Sequence, residues 1–228
     1  ENLELTTTGS VTLGTPDSTT TVDGNLDVTA GTTVGQSGVL TITGTTDITA
    51  ANGASNITLN GFDNDFSKTV GGVLGGAVSL RGHNTRIKDV NEIDLGTITT
   101  AAIFLVQAGG AVTDSGVLTL GGKLEIQAAT HDVTLDTASN DLHGSSKKVE
   151  ITAEDVILVD AGAIVLGAST ISGTFDLTTG GAVTDAGTLE ITGKTTINAG
   201  SNAVTLDEAA SDFGTVSITG TIVEVLDE

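Results

Sequence analysis

The chain has 228 residues with 29 acidic against 8 basic, a formal net charge of −21, and no Cys, Met, Trp or Tyr. That charge argues against nucleic acid as a partner, since no basic stripe exists to displace phosphate counterions, and it disfavours an anionic membrane surface. Missing cysteine removes disulfides, thiolate metal sites and thiol catalysis together, and no apolar run nears the ~18 residues of a membrane helix, so no membrane insertion is expected.

The chain opens at ENLEL without a signal-peptide pattern, and the reading is of a segment taken from a longer array. TVGQSGVLTITGTTDI (33–48) and NITLNGFDNDF (56–66) form a first, degenerate copy of a repeat, module 1–77. It departs from the later copies at 51–55, with about two extra residues, and at 67–77, with about five. Insertions in solenoids bulge from corners, so these are the expected protruding loops.

The second copy, 78–148, lies on the third, 149–228, without a gap: 25 of 66 positions are identical between 78–143 and 149–214. The clearest stretch is GGAVTDSGVLTLGGKLEI (109–126) against GGAVTDAGTLEITGKTTI (180–197). The third copy reads as apolar–any–apolar triplets: Val149–Ile151, Val156–Leu158, Ile164–Leu166, Phe175–Leu177, Leu189–Ile191, Thr195–Ile197 and Val204–Leu206, with Val183 and Phe213 alone. Each triplet is a short strand with one face inward. Gly, Asn, Asp and Ser between triplets, as at Gly180-Gly181 and Ser201-Asn202, supply the corners.

About eight residues per strand and turn, three strands per coil, gives coils of ~24 residues and three coils per module. The expected fold is therefore all-β, a right-handed parallel β-helix (β-solenoid) of ~9–10 coils and ~45 Å, one continuous unit over 1–228. Thirty-one Gly, one Pro and five Phe suit a narrow aliphatic core, and 38% hydrophobic residues argue against disorder.

The string DVILVDAGAIVLGASTISGTFDLTTGGAVTDAGTLEITGKTTINAGSNAVTLDEAASDFG (155–214) resembles the tandem repeats of large secreted bacterial adhesins of the filamentous haemagglutinin type. The likeness rests on Leu166-Gly167, Gly173, Gly180-Gly181, Asp185, Gly187, Leu189, Gly193, Val204–Leu206 and Asp212-Phe213. It implies an exported shaft, extracellular or on the bacterial surface, with no catalytic residue carried over. Expected partners are neighbouring repeats or copies placed end to end, and a host or cell-surface glycan or protein reached through domains elsewhere.

Chemistry-bearing residues are sparse. Acids recur at module-equivalent places (Asp89/Asp160, Asp114/Asp185, Asp136/Asp207, Asp65/Asp141/Asp212), where turn capping is the expected role. The best local clusters for a Ca²⁺ ion are Asp63 with Asp65, and Asp207 and Glu208 with Asp212; neither matches a β-roll or EF-hand motif, and no other cofactor is expected. Arg81, His83, Arg86 and Lys88 form the one electropositive stretch. It suits an anionic sugar, as in a polysaccharide lyase or hydrolase acting on an acidic glycan, but the missing Trp and Tyr remove the usual stacking platforms. His131 and His143 stand alone at turns. Thr41-Ile-Thr43 and Thr97-Ile-Thr99 raise ice binding, yet their module copies replace Thr, so no regular ladder is expected. The leading expectation is a mechanical rod and not an enzyme.

Overall fold

The computed structural model describes residues 1–66, 75–142 and 148–227, so most of the 67–77 insertion and His143 lie outside the described residues. Alternation of apolar and polar residues makes short strands, and the strands pair in parallel, each with the strand about one coil away. The result is a parallel β-solenoid of about ten turns, with a single 3-10 turn at Ala51–Gly53 as the helical element among the described residues.

Three faces build each coil. On the first, Leu3–Thr7 pairs with Leu26–Ala30, then Thr46–Ala50, then Val78–Gly82. The second runs Val34–Gln36, Ile57–Leu59, Thr85–Asp89, Phe104–Ala108, Leu124–Gln127 and Val149–Ala153. Along the third stand 93–95, Val112–Asp114, Val133–Leu135, Val156–Asp160 and Phe175–Thr179. Inward Leu, Ile and Val fill the interior, each full burial contributing about 1.5–3 kcal/mol before ordering costs. Phe66, Phe104, Phe175 and Phe213 lie inside; the fifth, Phe62, is 80% exposed.

Partners one coil apart are closer in sequence than ~24 residues at many steps: Ile98 pairs with Leu118, Phe104 with Leu124, Phe175 with Thr195. The 71-residue module therefore does not hold three coils. It holds ten strand segments, at 78–82, 85–89, 93–95, 98–100, 104–108, 112–114, 118–120, 124–127, 133–135 and the bridge at Asp141. Ten strands on three faces make three and one-third coils, so each module starts one face further round than the last. Val34 sits on the second face, its equivalent Val112 on the third and Val183 on the first. Module equivalents are thus never stacked on the same face within the chain.

Two features mark the corners. A Cβ on Gly122 would lie 2.2 Å from the Ala102 carbonyl oxygen, and one on its equivalent Gly193 would lie 2.3 Å from that of Gly173, so coils stack there only without a side chain. The coil from Thr46 to Val78 takes up the first module's extra residues, beginning with a left-handed corner in which Ala51 and Asn52 have φ 45° and 52°.

Candidate functional site

The recurring acids and amides form hydrogen-bonded corner clamps. Asn64, Asn140 and Ser211 are module equivalents, all fully buried. Asn64 Oδ1 accepts from Leu40 N at 3.0 Å, Asn140 Oδ1 from Leu118 N at 2.9 Å, and Ser211 Oγ from Leu189 N at 3.1 Å. Asp114 receives Asp136 N at 2.9 Å and Asn140 Nδ2 at 2.7 Å. Asp185 likewise receives Asp207 N at 3.0 Å and Glu208 N at 3.3 Å. Gln36 stands in the same position of the first module and binds Asn64 through both ends of its amide.

A second acid completes each clamp. Asp89 takes Phe66 N at 2.7 Å and Asn91 N at 2.9 Å; Asp160 takes Leu142 N at 2.8 Å and Gly162 N at 3.0 Å. Burial pushes the Asp89 carboxyl up to about 6 despite those two N–H donors, and the charges of Asp65 and Glu92 add to the rise. These acids do the capping work that their turn positions implied, but they spread over three faces instead of stacking three coils apart.

The residues considered for Ca²⁺ are dispersed. Asp63 is exposed on a corner, while Asp65 forms a bridge with Thr41 on the third face. Asp207 and Glu208 are exposed at a later corner, and Asp212 stands on the second face in register with Glu190. Among the described residues no three His, Cys, Asp or Glu side chains group closely enough to hold a metal ion.

The basic stretch divides across a corner. Arg81 points outward from the first face beside Gly53, and His83 is exposed at the corner. Arg86 and Lys88 belong to the second face, where Arg86 lies in register with Thr58 below and Leu105 above. Two rungs on, Lys123 pairs with Glu125 at 2.9 Å and Glu150 at 2.5 Å. The Lys123 hydrogen bond holds the Glu125 carboxyl below its usual range, with a smaller contribution from Arg86. Such surface pairs contribute at most about 1 kcal/mol. His131 packs into its turn, with Nδ1 3.2 Å from the Ala128 carbonyl oxygen.

Threonines do align, in a column hidden from module comparison. On the first face Thr6, Thr29, Thr49, Arg81, Thr99 and Thr119 follow one another in register. The neighbouring column is Glu4, Asp27, Asp47 and Ser79, so the face carries no paired Thr-x-Thr array. Burial, and then the charge of Asp27, raises the Asp47 carboxyl.

One feature escaped the sequence reading. Phe62 occupies the corner place held by Ala138 and Ala209 in the other modules, and it stands between two surface hollows. Lys88 Nζ lies 4.1 Å from its ring centroid. The signal was available in the alignment of NGFDN with DTASN.

A three-faced stack of parallel strands, clamped at its corners by buried polar side chains, defines a β-solenoid repeat protein. The chain belongs to the family described as repeats of unknown function (DUF5649), whose repeat matches residues 1–72, 82–147 and 153–220. No curated protein and no solved structure matches the chain.

Proposed function

We propose that the chain is a non-catalytic rod segment of an exported bacterial surface protein, an adhesin stalk or a filament shaft of the filamentous haemagglutinin type. The observation that carries this reading is the one-third turn between modules. Each face is built in turn from the same repeat, so the array extends without a natural stopping length and without a distinct side. Stability spreads along the rod as nearest-neighbour contacts, which suits a spacer under load. The net charge of −21 keeps such rods apart in solution. Copies or further repeats meet the chain end to end, and adhesive contact with a host or cell-surface glycan or protein belongs to other domains.

The test has two parts. Antibody raised against the folded repeats labels intact cells of the source bacterium, and tandem arrays seen by electron microscopy lengthen linearly with repeat number. Labelling only after cell lysis, or compact particles, would sink the reading. Measurable turnover of an acidic polysaccharide would replace it with the lyase or hydrolase alternative.

A further inference from the structure

The corner between the second and third faces carries a groove whose construction the rod does not require. Three successive coils turn this corner with loops of different length: Gly14 to Ser18, then only Ser37 and Gly38, then Asn60 to Asp63. The short middle corner recedes between two longer ones and becomes a floor. A Cβ on Gly38 would lie 2.3 Å from the Thr15 carbonyl oxygen and 2.6 Å from that of Ser18, so the floor is pressed against its lower wall. The walls stand two rungs apart, about 9–10 Å at ~4.8 Å per rung. The groove is open to solvent and its volume is about 540 Å³, within the usual range of small-ligand sites.

Its lining combines unpaired polar side chains, which other corners also carry, with an exposed aromatic ring, which they do not. Asp17 on the lower wall, and Asn60 and Asp63 on the upper one, have no side-chain hydrogen bond or ion pair among the described residues. Asp17 is held at φ +58°, in the left-handed region. Phe62 rises from the upper wall, four-fifths exposed, where the two other modules close the same turn with Ala138 and Ala209. The fold therefore needs no ring there. Lys88 against the ring limits its motion while leaving most of its surface to solvent.

We propose that this groove binds a neutral oligosaccharide, one pyranose ring stacking on Phe62 while Asp17, Asn60 and Asp63 accept hydrogen bonds from sugar hydroxyls. A saccharide presents both things the groove offers partners for: an apolar C–H face and a rim of hydroxyl donors. Two unpaired carboxylates on a chain of net charge −21 repel uronates and sulfated sugars, which selects the neutral class. The site is independent of the rod reading, since a stalk with or without other adhesive domains can carry it.

The test is a titration of the isotopically labelled chain with maltohexaose, cellohexaose and chitohexaose, followed by amide chemical shifts. At least one is expected to shift the amides of Gly38, Gly61, Phe62 and Asp63 saturably. Phe62→Ala, which installs the residue of the other modules, is expected to weaken binding at least tenfold with an unchanged melting temperature. Asp63→Ala is expected to weaken it by a smaller factor. No saturable shift at these residues with any of the three, equal binding by Phe62→Ala, or a preference for a hexagalacturonate control would each overturn the proposal.

Discussion

Asn140 Nδ2 donates a 2.7 Å hydrogen bond to Asp114 Oδ2, joining residues 26 apart in sequence on neighbouring coils. The same side chain accepts from Leu118 N through its other end, so one buried amide ties a strand and a corner together. Its counterparts Asn64 and Ser211 cap the equivalent strands of the other modules. A solenoid has few long-range contacts other than rung-to-rung ones, and these clamps are where corner register is specified.

Removing the clamp isolates its contribution. Asn140→Ala leaves the buried Leu118 N–H without its acceptor and takes from Asp114 Oδ2 the shorter of its two donors, the Thr137 N–H at 3.4 Å remaining. The expected loss is about 2–3 kcal/mol. Asn140→Ser, which copies the Ser211 cap of the third module, is expected to keep part of it. Urea denaturation gives the magnitude, and hydrogen exchange at Leu118 gives the location; unaltered exchange at Leu118 would refute the capping role.

Asp89 makes stability depend on pH in a definite direction. Its folded carboxyl titrates at about 6, above the ~3.9 of an unfolded aspartate, because burial disfavours the charged form. Between about pH 4 and 6 the native state binds more protons than the unfolded one, so this group's contribution falls as pH rises through that window. Asp89→Asn removes the titration and also replaces one of two acceptor oxygens with a donor. Relative to the variant, the wild-type chain is expected to lose roughly 2–3 kcal/mol between pH 4 and 7. Parallel stability–pH curves for the two would contradict the assignment.

Buried hydroxyls offer a gain. Thr195 Oγ1 is buried without a hydrogen-bond partner, as is Thr46 Oγ1 at the equivalent place, whereas the second module carries Leu124 there. Thr195→Val keeps the shape and removes the unmatched hydroxyl. Stabilisation of about 1 kcal/mol is expected by urea titration, and destabilisation would show that the hydroxyl has a partner in solution.

The one-third turn between modules has a mechanical consequence. Deleting 78–148 brings strand 149–153 to the face now held by Val78–Gly82, although it natively lies on the second. Because the same repeat position already serves all three faces, the shortened chain is expected to fold. Small-angle scattering should then show a rod shorter by about 16 Å, three and one-third rungs of ~4.8 Å. Loss of β-structure would mean that faces are not interchangeable.

Much of the fold is legible in the residues alone. Triplets such as Val149–Ile151 and Val204–Leu206 announce inward-facing strands, and Asp114 and Asp185 at turn positions announce capping. The coil length is harder, because the third copy's strand Ser169–Ile171 begins on a buried Ser and so breaks the apolar–any–apolar pattern. Passing over it gives nine strands per module in place of ten. The Thr6–Thr29–Thr49 column is invisible for a related reason: comparison at 71 residues matches residues on different faces. Phe62 is legible as a substitution, but its exposure is not, since apolar character alone does not tell an inward residue from an outward one at a corner.

Sequence by itself determined the class of fold and the composition of its core. Period-two triplets of Val, Ile and Leu separated by Gly and Asn leave a chain no better way to bury its apolar side than to stack coils. Only the tertiary structure decided the phase between repeat and coil, and with it which side chains become neighbours. Phase depends on how many residues each corner consumes. Corner length is set by contacts between coils, such as Gly38 against Thr15 and Asn140 against Asp114, that no local pattern records.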